Sequence, residues 1–226
     1  MEKMRLSPIE VFVFHAVSDK YDEQLNMRVD WSSTKDFKQR IINYQQRYTF
    51  ISLEQAYWMM CHDLFRSKKY AVLTCDDGFE SVLQIIPFLE ERKVPVTLFV
   101  NPCYLDGISK RKEYSLNPQY ITHKDLFSIH SENVTIGMHG YEHNDATRLS
   151  SDQFEESVNK CINMLSNHPR YISFYAYTWG NYSEQTQQIL KQKKVVPVFT
   201  DGASNYRFHY GIGRKPIDSY YLKKEK

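Results

Sequence analysis

Two acidic residues and two histidines are spaced so that they could share a metal ion. Asp76 and Asp77 directly follow an apolar run at 70–75, and His139 and His143 lie four residues apart after another apolar run. Histidines at this spacing can place both imidazoles on one side of a turn or of a first helical turn. A carboxylate from the acidic pair would complete a site with two imidazoles, one carboxylate and open positions.

A parallel β-sheet would bring the acids and the histidines together. The runs at 70–75 and 94–100 are apolar throughout and flank an amphipathic stretch at 81–92, which is typical of a buried β-α-β unit. The run at 133–138 predicts a strand that ends at the histidines. Parallel strands end at one edge, where α/β proteins bind ligands, and Gly78 allows a tight turn there. A turn and a helix cap would equally explain the acids taken alone.

Strands and helices alternate along most of the chain. The predicted strands are 9–17, 70–75, 94–100, 133–138, 171–177, 195–200 and 211–217. The predicted helices are 34–48, 53–65, 81–92, 122–130, 152–165 and 183–192, with a kink or a late start expected at Pro87. The long connection at 101–120 is a candidate substrate-side loop. This alternation favours a parallel α/β architecture, and about seven strands fit a barrel at least as well as an open sheet.

The composition limits the classes of function. The 226 residues suit a single domain at 1–226, and 29 basic against 27 acidic residues provide no basic field for nucleic acid. The four cysteines include no Cys-x-x-Cys pair, so free thiols are expected. The apolar run near the N-terminus is shorter than a signal-peptide core and no membrane span is predicted, so we expect a cytoplasmic protein.

The two motifs together resemble those of a known family. The run Thr-Cys-Asp-Asp-Gly at 74–78, followed by Gly-Met-His-Gly-Tyr-Glu-His at 137–143, is similar in order and spacing to the first two motifs of the polysaccharide deacetylases, the NodB-homology group of carbohydrate esterase family 4. The segment 174–180 is similar to a variant third motif, and His15 resembles the histidine of a Tyr-His motif that opens many members. The resemblance spans about residues 10–218.

The resemblance implies a distorted (β/α)7 barrel of the NodB-homology type that removes acetyl groups from N-acetylated sugars with a divalent metal. By its motifs, Asp76 falls on the general base, and Asp77, His139 and His143 fall on the metal ligands. This ligand set suits Zn²⁺, with Co²⁺ or Ni²⁺ as substitutes. Such an ion would lower the pKa of water and polarise the amide carbonyl while the neighbouring carboxylate takes the proton of the water.

The third motif departs from the family pattern. Ala176 stands where an arginine usually orients the base, Thr178 replaces a proline, and Trp179 replaces the tyrosine whose backbone amide would face the oxyanion. We expect Trp179 and Tyr177 to contact the sugar. Arg214 is the candidate replacement for the missing arginine, because the last strand of a nearly closed barrel returns beside the first. The planar guanidinium group of Arg214 also suits a carboxylate, which it can bind with two hydrogen bonds. An ordinary surface arginine is the competing interpretation.

The last motif of the family, Leu-x-His, supplies a general acid and has no clear match here. His209 lies near the corresponding part of the chain but lacks the pattern. His15, at the end of another predicted strand, could serve instead. Both histidines are expected on the substrate side of the site.

Three functions agree with these observations. The first is a metal-dependent N-deacetylase acting on a glycan or on an activated or lipid-linked sugar precursor of a surface polysaccharide. The second is a catalytically impaired carbohydrate-binding relative, suggested by the missing motifs, although a binding protein has no need of Asp76 as a base. The third, a metal-dependent phosphoesterase, fits the ligand types but predicts more cationic residues near the site.

Overall fold

The computed structural model describes residues 7–19, 31–62, 68–106, 119–208 and 210–217. The strands within these ranges are β1 (Ile9–Phe14), β2 (Ala16–Val17), β3 (Trp31–Ser32), β4 (Thr49–Phe50), β5 (Tyr70–Cys75), β6 (Val96–Val100), β7 (Val134–Met138), β8 (Tyr171–Ala176), β9 (Val196–Phe199), β10 (Ile212–Gly213) and β11 (Lys215–Pro216). The α-helices within them are α1 (Thr34–Gln45), α2 (Leu53–Cys61), α3 (Ile86–Glu91), α4 (His123–Phe127), α5 (Ser151–Leu165) and α6 (Glu184–Gln192). None of these helices combines the length and the apolar composition that a membrane crossing requires.

Parallel strands form a nearly closed barrel in the order β10-β9-β8-β7-β6-β5-β1-β11. The first and last strands of this path are consecutive in the chain and are separated only by Arg214. β10 pairs with β9, and β11 pairs with β1, so one short segment joins both edges of the sheet. The predicted last strand at 211–217 is therefore interrupted at its middle residue. The predicted α/β barrel is confirmed.

The barrel interior is filled by apolar side chains from six strands and from α2. The strand residues of this cluster are Ile9, Val11, Val72, Phe99, Ile172, Phe174, Ala176, Val198 and Ile212. Leu53, Ala56 and Met60 of α2 pack on them. Because successive strand residues point to opposite faces, alternate residues of the same strands pack outward under the other helices. Burial on both faces explains the unbroken apolar runs of the sequence.

Helix α5 shows why the helices lie outside the barrel. Its buried residues recur every three or four positions, at Phe154, Val158, Cys161 and Leu165. This spacing places them on one face of the helix, which packs against the outer face of the sheet. Ser150 begins the helix as its N-cap, and the side chains of Ser150 and Gln153 each accept a hydrogen bond from the backbone N–H of the other. Such a capping box satisfies two amide groups that the first turn leaves without helical partners.

Several elements differ from the sequence prediction in informative ways. The predicted helix at 81–92 begins as a 3₁₀ turn and becomes α3 only at Ile86, with Pro87 in its first turn, which confirms the late start. Proline suits that position because its missing N–H would have no helical partner. The first predicted strand is broken at His15, and β3 and β4 were not predicted, since two residues are too few to show a periodic pattern. Most of the predicted loop at 101–120 lies outside the described residues.

Candidate metal and catalytic site

The acidic and histidine motifs lie side by side at the carboxyl edge of the barrel. Asp76 follows β5, and its backbone N–H donates to the carbonyl oxygen of Phe14 at 3.0 Å. His139 follows β7, and its N–H donates to the carbonyl oxygen of Val100 at 3.0 Å. Strand β6 lies between β5 and β7. The parallel sheet therefore positions both motifs as continuations of its strands.

Three of the predicted ligands face one another. The Nε2 atoms of His139 and His143 lie 3.4 Å and 3.2 Å from Oδ1 of Asp77. One ligand atom from each residue lies within 4.8 Å of the other two, and all three side chains are buried. Two imidazoles and a carboxylate converging at these separations form a donor set suited to a divalent ion such as zinc.

A hydrogen bond orients the ring of His139. Its Nδ1 lies 2.9 Å from the carbonyl oxygen of Ala176, so we assign the ring proton to Nδ1, which donates to that oxygen. The lone pair of Nε2 then points toward Asp77. Metal-binding histidines typically donate their second ring N–H in this way, and the residues present therefore fit a metal ion.

The backbone around the site adopts left-handed conformations at residues that are not glycine. Asp77, His143 and Trp179 have φ angles of 73°, 58° and 59°. The other such residues within the described ranges, Lys93 and Lys194, follow helices, where this conformation is common. Each left-handed residue costs on the order of 1 kcal/mol, so the surrounding structure must hold the three site residues in place.

Arg214 lies against Asp76. Its Nη1 and Nη2 donate to Oδ1 and Oδ2 of Asp76 at 2.6 Å and 2.7 Å, a bidentate pair. The same nitrogens donate to the hydroxyls of Thr74 and Thr200, each at 3.1 Å. The guanidinium carbon lies 5.4 Å from the ring centroid of Phe99, and Arg214 is 0% exposed. It is therefore not an ordinary surface arginine.

This pair determines the charge state of Asp76. Burial alone would raise the pKa of its carboxyl group. The positive charge of Arg214 opposes this effect of burial. Electrostatic interaction with His139, the hydrogen bonds from Arg214 and electrostatic interaction with His15 lower the pKa further, so that it lies below its ordinary value. Asp76 is therefore ionised at neutral pH. The residue at the usual arginine position, Ala176, has no group that could do this.

The third motif forms the rim of the site beside His143. The side chain of Trp179 is 55% exposed, and its ring centroid lies 5.1 Å from that of His143. The preceding Thr178 donates its hydroxyl hydrogen to the carbonyl oxygen of Asn144. This bond links the rim to the histidine loop, the segment 139–145 that carries both histidines. Trp179 thus presents an exposed aromatic ring next to the proposed ligand His143, and the hydrogen bond of Thr178 anchors the backbone before it.

The remaining predicted substrate contacts differ in their placement. Tyr177 is 1% exposed and packs among aromatic rings outside the barrel, because Ala176 points inward and its neighbour must point outward. The structure therefore corrects the prediction that its side chain contacts the sugar. His15 lies close enough to Asp76 to influence its pKa. His209 lies outside the described residues.

Sequence reasoning missed three polar residues of the site. Thr74 and Thr200 are uncharged, and their hydroxyl oxygens accept hydrogen bonds from Arg214. Asn101 follows β6, is buried, and bonds to the backbone of the histidine loop. All three lie at or just past the end of a strand on the same edge as the acids, and that position was the available signal.

Comparisons with known proteins agree with this geometry. The family model described as polysaccharide deacetylase matches residues 65–198, more than half of the chain. No curated protein matches the sequence. The fold is similar to that of IcaB from Ammonifex degensii, with a TM-score of 0.81 and 17% identity over 97% of this chain and 95% of that one.

Two further solved structures have similar folds. The deacetylase PplD from Streptococcus pyogenes, solved in complex with acetate, has a TM-score of 0.76 and 18% identity over 94% of this chain and 93% of that one. The BpsB deacetylase domain from Bordetella bronchiseptica has a TM-score of 0.74 and 14% identity over 93% and 96%. The TM-scores show a shared fold of the NodB-homology type. The family model, which matches more than half of the chain, shows that the chain belongs to the polysaccharide deacetylase family.

Proposed function

We propose that this protein is a metal-dependent hydrolase that removes the acetyl group from an N-acetylated sugar. The substrate class is a glycan or an activated or lipid-linked precursor of a surface polysaccharide. The observation that supports this best is the pairing of two arrangements at one edge: a converging Asp77, His139 and His143 set, and an ionised Asp76 beside it. A hydrolase of this kind needs both a metal centre and a base.

Asp77, His139 and His143 would hold the ion, with Zn²⁺ preferred and Co²⁺ or Ni²⁺ as substitutes. The chemistry that such an ion supplies when bound is Lewis acidity toward water and toward the amide carbonyl. The carboxylate of Asp77 faces both Nε2 atoms, whereas the charge of Asp76 is neutralised by Arg214. Nε2 of His139 also lies 3.8 Å from Oδ2 of Asp76, but the nearest partners of the two acids differ, as separate roles require.

Asp76 is the proposed base, which takes a proton from the attacking water. Its pKa lies below the ordinary carboxyl value, so the proton-accepting form is present at neutral pH. Arg214 is the proposed positioning residue, since its two hydrogen bonds fix both oxygens of the carboxylate. It takes the place of the arginine that the family usually supplies from the position of Ala176.

The rim and the first strand provide the remaining roles. We assign the backbone N–H of Trp179 to the oxyanion, as the third motif of the family implies, and its exposed ring to a face of the sugar. Aromatic rings contribute large contact areas with little loss of conformational freedom. His15 is our candidate for the group that returns a proton to the leaving amine, because it lies near Asp76.

The alternative is a carbohydrate-binding relative without turnover. Removing two charges from water is costly, and a buried ion pair contributes little net stability compared with apolar residues of the same volume. The buried pair of Asp76 and Arg214 therefore has an evident use in catalysis and little in binding alone. This argument favours the enzyme.

Acetate release from a panel of N-acetylated sugars tests the proposal. The panel contains N-acetylglucosamine, its short β-linked oligomers and a nucleotide-linked N-acetylhexosamine, each assayed after chelation and after readdition of Zn²⁺. We expect release that depends on the metal and is lost in Asp76→Asn. Binding of a sugar without any release, in protein shown to contain the metal, would support the binding relative instead.

A further inference from the structure

The turn at residues 101–104 lies between the two motifs of the site and contributes none of the proposed ligands. We infer that this turn presets the backbone of the loop that carries both histidines, so that the ligands are arranged before a metal binds. The inference rests on the proposed metal site. It assigns positioning roles to Asn101 and Tyr104, which no motif of the sequence identified.

The 101–104 turn satisfies four consecutive carbonyl groups of the histidine loop. The side-chain amide of Asn101 donates to the carbonyl oxygens of His139 and Gly140, the latter at 2.9 Å. The backbone N–H of Cys103 donates to the carbonyl oxygen of Tyr141 at 3.2 Å. The hydroxyl of Tyr104 donates to that of Glu142 at 3.0 Å. Every carbonyl between the first histidine and the residue before the second therefore has a donor from this turn.

The histidine loop depends on such donors because it is not a helix. Residues 139–145 have no helical assignment, and Gly140 has a φ of 76°. His139 and Gly140 are buried, and buried carbonyl groups in irregular backbone require partners from elsewhere in the protein. Since Asn101 is 1% exposed, water is poorly placed to replace its amide. The conformation that directs both Nε2 atoms toward Asp77 is thus held by groups that do not bind the metal.

The same turn is also connected to the acidic loop, the segment 76–79 that carries both aspartates. The ring of Tyr104 stacks on that of Tyr120 with centroids 4.9 Å apart, and Tyr120 stacks on Phe79 at 5.3 Å. Phe79 lies two residues after Asp77. Tyr104 therefore contacts the histidine loop through its hydroxyl and the acidic loop through a stack of rings. The 101–104 turn therefore contacts both loops that carry the proposed ligands.

Substitution of Asn101 by leucine tests the inference directly. Asn101→Leu removes both hydrogen bonds while keeping a similar shape and adding no charge that could itself attract a cation. We expect the affinity for Zn²⁺, measured by competition with a chelator of known affinity, to fall by about 10- to 100-fold, as for other groups that orient metal ligands. Tyr104→Phe removes one hydroxyl and keeps the ring stack, so a smaller loss of up to about fivefold is expected.

Asn205 provides a matched control. Its buried side-chain amide also donates to two carbonyl oxygens, those of Ile9 at 3.2 Å and Gly213 at 2.8 Å, on a different part of the barrel. We expect Asn205→Leu to lower the melting temperature but to leave the Zn²⁺ affinity within about twofold of the wild type. Equal losses of affinity in the two leucine variants would overturn the inference, because they would reflect general destabilisation.

Hydrogen exchange of the metal-free wild type separates this inference from the proposed function. The amide hydrogens of His139 and Tyr141 are bonded to Val100 and to the Ser157 hydroxyl, each at 3.0 Å. We expect both to be protected before Zn²⁺ is added and to lose protection in Tyr104→Phe or Asn101→Leu. Rapid exchange in the metal-free wild type would refute the presetting role, even if Asn101→Leu fails to fold. Absence of Zn²⁺ binding by a protected loop would instead count against the proposed function alone.

Discussion

Asp76 and Asp77 are adjacent residues of the same type with different surroundings. Asp76 has both oxygens bonded to Arg214, whereas Oδ1 of Asp77 faces the Nε2 atoms of His139 and His143. The first acid is ionised and fixed by a cation, and the second points into a set of ligand atoms. The comparison teaches that the neighbours of a carboxylate decide its role. It also indicates which variants should act mainly through one of the two acids.

The largest effect is expected on the Asp77 side. His139→Ala and His143→Ala each remove one of two imidazoles, and we expect both to lose the bound metal and with it nearly all activity. Elemental analysis of the purified proteins measures this directly. Metal contents equal to that of the wild type in both variants would rule out the proposed ligand set.

The next effect concerns the Asp76 side alone. Asp76→Asn keeps the shape of the side chain but removes the proton acceptor, so turnover should fall at least ~10²-fold while the metal is retained. Turnover and metal content are measured on the same preparation. Loss of the metal in this variant would mean that the roles of the two acids have been exchanged.

A smaller effect is expected when the partner of Asp76 is removed. In Arg214→Ala the effect of burial is opposed only by the weaker influence of His139 and His15, so the pKa of Asp76 should rise. Activity requires the ionised form and is lost as pH falls through this pKa, so the acid limb of the pH–rate profile should move to higher pH. Turnover at neutral pH should fall by about 10- to 100-fold with the metal retained.

Arg214→Lys and the melting temperature serve as controls for that variant. Breaking a buried ion pair can cost about 3–5 kcal/mol of stability, so folding must be measured beside activity. Lysine keeps the positive charge but lacks the planar guanidinium group. Compared with Arg214→Ala, Arg214→Lys should therefore restore the position of the acid limb more fully than the turnover rate. A profile unchanged in folded Arg214→Ala would contradict the role of the pair.

The smallest effect is expected at the rim. Trp179→Ala removes an exposed ring beside His143 and should raise KM about two- to tenfold with a smaller change in kcat, the usual worth of an aromatic contact. Trp58, which is 54% exposed on α2, is the matched control, and Trp58→Ala should leave both constants unchanged. Equal changes in the two variants would indicate a general effect of losing an exposed tryptophan.

The sequence predicted the elements that show a regular apolar pattern and the site residues that belong to a motif. Apolar runs located β5 and β7, and the acids and histidines at their ends identified the edge of the site. The outward direction of Tyr177 could also have been read from strand alternation, since Ala176 was already expected to face the site. The error came from treating the motif as a continuous substrate surface.

Other features depend on contacts between distant segments and have no local pattern. Asn101 and Tyr104 bond to residues of a loop that lie 38 or 39 positions later in the chain. The break at Arg214 arises because two different strands, β9 and β1, each pair with one side of it. A single sequence shows the residue types at these positions but does not show which of them meet.

The position of Arg214 has a consequence for the order of folding. Arg214 and Asp76 are 138 residues apart in the chain, and Arg214 belongs to the segment that joins the two edges of the sheet. During synthesis, β5 and its acids therefore emerge long before their cation, and contacts at such separation form late. Until the final segment docks, the carboxylate of Asp76 lacks the two hydrogen bonds that fix its orientation. The proposed base is consequently oriented only when the barrel closes, so an incompletely folded chain carries Asp76 without the partner that positions it.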